Sequence, residues 1–218
     1  MELVLGAIVC GLFTVQTVGR LVDKFKRIDK EIELPARITV KEYVMIFLCG
    51  AAAYQGISIS SIVQLFLGIY LAFMAYTDFH TKKVYSMFSY LMFVAGTLGL
   101  FMTTDSVPEN LYTLLAFVVL VLFGYFIKAY AFGDVEIYIA LYPYYAMYFF
   151  DMPEDVLNLM LWFAVTLFIT VIACAVSWVV FRIKNRNAGT DGFSKERKAM
   201  APVIAFAHVM LLCMSHFG

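Results

Sequence analysis

The chain has 218 residues, of which 63% are apolar and 15% charged, with a mean hydropathy of +0.85. A soluble domain carries about 45–50% apolar and about 25% charged residues, so this composition argues against one or two ordinary soluble domains. Sixteen Lys and Arg balance sixteen Asp and Glu, which leaves no basic surplus for a nucleic-acid partner.

Apolar segments follow one another at residues 3–22, 43–57, 61–77, 84–103, 111–130, 135–150, 156–181 and 199–217. A helix that crosses a bilayer needs about 20 mostly apolar residues, within about 17–25. The fold expected is therefore all-α, a polytopic bundle of about eight transmembrane helices, forming a single membrane-embedded domain over 1–218. The first segment reads as a retained span. Glu2 stands where a signal peptide carries positive charge, and the basic cluster follows the apolar run. The connection 23–41 alternates Asp23, Asp29, Glu31 and Glu33 with bases and suits a short amphipathic helix on the membrane surface. Segments 43–57 and 135–150 are short for a full crossing and either extend into their flanks or cross a thinned apolar layer. Pro108 and Pro153 fall in short connections, where a missing N–H costs little. The run YPYYAMYFF closes the sixth segment and is expected in an interfacial aromatic belt, with most other Tyr and Phe facing lipid. Residues 183–198 are polar and glycine-containing and read as a loop.

The basic residues select a topology. Arg20, Lys24, Lys26, Arg27, Lys30, Arg37 and Lys41 follow the first span, and Lys82 and Lys83 the third. Lys128 closes the fifth, and Arg182, Lys184, Arg186, Lys195, Arg197 and Lys198 follow the seventh. With eight spans all of them fall on one side, while Asp105, Glu109, Asp151, Glu154 and Asp155 fall on the other. Basic loops stay cytoplasmic, which puts both termini outside the cell membrane and loops 23–41 and 183–198 inside.

Three acids belong to no loop: Asp78 at the end of the third span, and Asp134 and Glu136 where the sixth begins. An acid at membrane depth is a functional candidate by default. This topology puts both aspartates at the cytoplasmic ends of their spans, at one depth. Two carboxylates sharing a site cannot easily both ionise; one can take a proton from water while the other polarises a carbonyl. Gly133 allows close backbone approach or a tight turn. A place in the first turn of a helix would favour Asp134 as the ionised member, leaving Asp78 as the acid. Structurally, Asp78 can equally pair with Lys82 at i+4, and Asp134 can cap a helix.

The stretch Asp78-Phe79-His80-Thr81-Lys82-Lys83-Val84 is similar to the first aspartate motif of type IV prepilin peptidases. Ala131-Phe132-Gly133-Asp134-Val135-Glu136 resembles their second, GxGDxK, and Lys198 to Ala205, with Pro202, resembles their final span. The resemblance implies an intramembrane aspartic endopeptidase with Asp78 and Asp134 as its catalytic pair and no metal or cofactor. Its partners would be type IV prepilin-like or preflagellin-like precursors, cut at the cytoplasmic face next to a cationic leader. Two positions depart from the motif: Ala131 replaces its first glycine, and Glu136 reverses its lysine. Glu136 is expected to receive the cationic leader. The loop after the first span is short and holds no cysteine, so the N-methylating domain of longer members is not expected.

Other residues carry less. Lys82 and Lys83 read as positive-inside anchors and His80 as a solvated loop histidine. His208 and His216 are expected near the outer face. Pro202 is expected to keep the last span open. Cys10, Cys49, Cys174 and Cys213 lie in apolar runs without CxxC spacing and read as small apolar residues. A proton- or cation-coupled transporter component would also use intramembrane acids, but repeated halves and broken helices are not evident. A catalytically inactive scaffold fits the two departures. A presenilin-type or signal-peptide-peptidase-type protease also uses GxGD, but Ala201-Pro202-Val203 only loosely echoes its Pro-Ala-Leu element.

Overall fold

A computed structural model describes residues 2–28, 34–35, 37–54, 56–103, 107–126, 131–148, 172, 179, 183 and 200–217. The expected seventh span 156–181, the loop 183–198, Cys174 and Lys128 lie outside the described residues, apart from Ile172, Val179 and Ile183. So do the acids Asp105, Asp151, Glu154 and Asp155.

Among the described residues the regular structure is entirely helical: α1 (Glu2–Ile28), α2 (Val40–Ala52), α3 (Ile59–Thr81), α4 (Ser86–Thr103), α5 (Val107–Phe126), α6 (Phe132–Tyr148) and α7 (Ala201–Phe217). By length and composition, Glu2–Ile28 and Ser61–Thr81 suffice to cross a membrane. Shorter apolar helices run over Ser86–Met102, Leu111–Phe126 and Ala201–Met210. The helix expected on the membrane surface after the first span is instead partly a continuation of α1, which runs unbroken to Ile28. Helix α2 has 13 residues, about 20 Å at 1.5 Å per residue, against an apolar layer of about 30 Å. It extends toward its N-terminus, to Val40, and stops at Ala52 well before the expected end at 57.

The chain divides into two compact units, residues 1–82 with 165–218, and residues 83–164. In the first, α3 is the central helix and packs against α1, α2 and α7. Leu67 and the run Ile69–Asp78 are buried on every side, as expected of a helix apolar all round. Helix α1 presents a narrower stripe, Gly11, Thr14, Val18 and Val22, mostly toward α2. Small residues set these contacts. A Cβ on Gly68 of α3 would lie 2.7 Å from the Cys49 carbonyl oxygen of α2, and one on Gly50 would lie 2.7 Å from the Cys10 carbonyl oxygen of α1. Bare glycine surfaces let backbones approach closely, a common device between membrane helices.

In the second unit α6 is central and packs against α4 and α5. Here the expectation of an exposed aromatic belt is corrected. Tyr142 and Tyr145 have no exposure and Tyr144 has 6%. The Tyr144 hydroxyl donates to the Met92 carbonyl of α4 at 2.9 Å, and the Tyr142 ring lies 5.0 Å from that of Phe117 on α5. A buried tyrosine favours a partner for its hydroxyl, and for Tyr144 the α4 backbone supplies it. Gly96 of α4 makes room for Tyr144, since a Cβ there would come within 2.7 Å of its ring.

Candidate active site

Each aspartate singled out in the sequence sits at one end of the central helix of its unit. Asp78 occupies the last turn of α3 and is 5% exposed. Its Oδ2 accepts the backbone N–H of Ala201, the first residue of α7, at 3.0 Å. Pro202 follows in the first turn of α7, where its missing N–H would be unbonded anyway. Proline thus starts the helix and does not interrupt it.

The final turn of α3 is heavily bonded. Thr77 Oγ1 donates to the carbonyls of Phe73 and Met74 at 3.0 and 3.1 Å, and Thr81 Oγ1 donates to that of Thr77 at 2.7 Å. Lys82 closes the helix in the left-handed region, at φ 56°, and its N–H donates to the Asp78 carbonyl at 2.9 Å. Its ammonium lies 5.4 Å from the centre of the Phe79 ring. Lys82 therefore reaches Asp78 through the backbone.

Asp134 occupies the first turn of α6 and is 3% exposed. Its Oδ2 accepts the N–H of Ala131, just before the helix, at 2.8 Å, as a third-position acid does in a capping box. Gly133 is a point of close approach: a Cβ there would lie 2.8 Å from Cβ of Val84. Glu136, 8% exposed, accepts the Tyr90 hydroxyl of α4 at 3.2 Å.

Both aspartates therefore stand at a helix N-terminus, Asp134 at its own and Asp78 at that of α7. The feature expected to single out Asp134 as the ionised member is shared, so it does not assign the two roles. Asp78 belongs to the first unit, with Lys82 and Pro202. Gly133, Asp134 and Glu136 belong to the second.

His80 corrects another expectation. It is neither a loop residue nor solvated: it lies within α3, and its Nε2 meets Glu42 Oε1 of α2 at 2.6 Å, with side chains 17% and 12% exposed. The pair spans 38 positions of sequence, and no local spacing announces it; the one available signal was an acid, Glu42, just ahead of an apolar run. His208 is fully buried, about 10 Å along α7 from its first residue. The His216 side chain lies outside the described residues. Cys10, Cys49 and Cys213 are free thiols. Among the described residues no group of three or more His, Cys, Asp or Glu could hold a metal ion.

Comparisons of this chain with protein-family models, curated proteins and solved structures find no match.

Proposed function

We propose that this chain is a polytopic membrane protein of about eight spans and an intramembrane aspartic endopeptidase of the prepilin-peptidase type. Asp78 and Asp134 act as its catalytic pair, at the cytoplasmic membrane face of a prokaryote, with both termini outside. Its substrates are prepilin-like or preflagellin-like precursors with a cationic leader, and the product is not N-methylated. One carboxylate takes a proton from water while the water oxygen attacks the scissile carbonyl. The other carboxyl donates a hydrogen bond to the carbonyl oxygen, and a proton then passes to the leaving amine. Glu136, with Tyr90, receives a basic group of the leader.

The observation that carries the reading is the burial of both aspartates, each on the central helix of its unit with a backbone N–H on its carboxylate. Buried carboxylates need such donors, and acids in apolar helices are rarely idle. The same hydrogen bonds favour one alternative, an inactive scaffold in which both acids only cap helices.

The test is co-expression with a pilin-like precursor in a host lacking its own peptidase, with the precursor's N-terminus read by mass spectrometry. Wild type should trim the leader and leave an unmethylated N-terminus, while Asp78→Asn and Asp134→Asn should each leave the precursor whole. A folded wild type that leaves the precursor intact would favour the scaffold. A proton- or cation-coupled transporter would instead show acid-dependent flux in vesicles, lost in the same two variants.

A further inference from the structure

The last turn of a helix has carbonyls without intrahelical partners and frays easily. Asp78 lies in such a turn, and ties run from it to the neighbouring helices α7 and α2. One is Asp78 itself, through the Ala201 N–H of α7. The other is His80, through Glu42 of α2. Residues two apart on a helix point about 200° apart, so the two ties hold opposite sides of the turn.

Glu42 is well placed to anchor. It stands in the first turn of α2, and its Oε2 accepts the Thr39 N–H at 2.6 Å while Oε1 meets His80. A carboxylate only accepts, so Nε2 of His80 carries the shared hydrogen whether the ring is neutral or charged. The imidazole is flanked by the rings of Tyr76 at 4.8 Å and Phe79 at 5.2 Å, both edge-on.

In the reaction proposed above, the carboxyl of Asp78 takes water or the scissile carbonyl as a further partner beside the Ala201 N–H, so its tie to α7 shares the carboxyl with the reaction. We propose that Glu42, acting through His80, is a positioning residue that keeps the final turn of α3 in place while Asp78 engages substrate. This rests on the peptidase reading of Asp78.

Two measurements test it. In the cleavage assay, Glu42→Ala and His80→Ala should each lower kcat about tenfold or more, with KM changed less than about twofold, since a misplaced reacting group costs rate rather than binding. His80→Gln, which keeps a donor within reach of Glu42, should recover most of the loss. The second measurement needs no catalysis. Asp78→Cys is placed in a chain whose native cysteines are replaced by serine or alanine, and its alkylation rate by a small maleimide is followed in membranes. Adding Glu42→Ala should raise that rate several-fold, and adding His80→Gln should not. Unchanged alkylation in the Glu42→Ala background overturns the positioning role even where wild type cleaves. A wild type that does not cleave, with faster alkylation after Glu42→Ala, overturns the peptidase reading and keeps the clamp. Equal loss in the alanine and glutamine variants of His80 also overturns it, because the donor would then be irrelevant.

Discussion

At Glu42 two opposing effects act on one carboxyl. Burial alone would push its pKa up, but hydrogen bonds from Thr39 and His80 outweigh that and hold it below the usual 4.5. A depressed folded pKa means stability that is present above the unfolded value and lost as pH falls through the folded one. Glu42→Gln should therefore lower the melting temperature in detergent at pH 7, and the difference from wild type should shrink as the pH falls below about 4. A difference that widens in acid would show that the charge of Glu42 does not stabilise the fold. Glu136 yields a second prediction at this scale. Glu136→Lys should reduce kcat/KM at least about tenfold for a precursor with a basic leader, because like charges meet. A leader with its basic residues replaced by glutamate should regain part of the loss. Equal cleavage of the basic leader by both proteins would remove Glu136 from recognition. Asp134 in a first helical turn and Gly133 at a close approach were both legible in the sequence, since each depends on neighbours within a few positions. The Glu42–His80 and Asp78–Ala201 bonds, 38 and 123 positions apart, were not, because no periodicity encodes which helix ends meet.

At the scale of elements, glycine decides how closely helices pack. The Cys49 carbonyl facing Gly68 is backbone and cannot swing aside, so Gly68→Ala should destabilise the chain by about 1–3 kcal/mol, as overpacking does. Thermal melts of the purified protein would measure it, and an unchanged melting temperature would mean that α2 and α3 separate freely. Gly133→Ala meets Cβ of Val84, close to the backbone, and displaces the start of α6, where Asp134 accepts the Ala131 N–H. It should lower cleavage while leaving the helices formed, as checked by circular dichroism beside the mass-spectrometric assay. The short α2 shows why an apolar run misplaces its helix: Ala53, Tyr54 and Ile57 prolong the run past the helix, but the chain turns at Ala53, and Ser58 begins α3 by accepting the Ser61 N–H at 3.1 Å.

For the whole molecule, the proposed eight-span arrangement with both termini outside makes a direct prediction. A cysteine at Glu2 should react with an impermeant maleimide in intact cells, and one at Lys195 only after permeabilisation. The reverse pattern would invert the topology and move the aspartates to the other membrane face. What the sequence determined by itself is the helical class and the two acids at helix ends, because a long apolar run has to satisfy its own backbone and an acid within it stands out. The tertiary structure alone decided that α3 and α6 are the central helices and that Tyr138, Tyr142, Tyr144 and Tyr145 of α6 are buried. It alone decided that Asp78 bonds the start of α7 and that His80 bonds Glu42. Apolar residues read the same whether lipid or protein surrounds them, and a hydrogen bond between helices depends on packing that distance along the chain does not express.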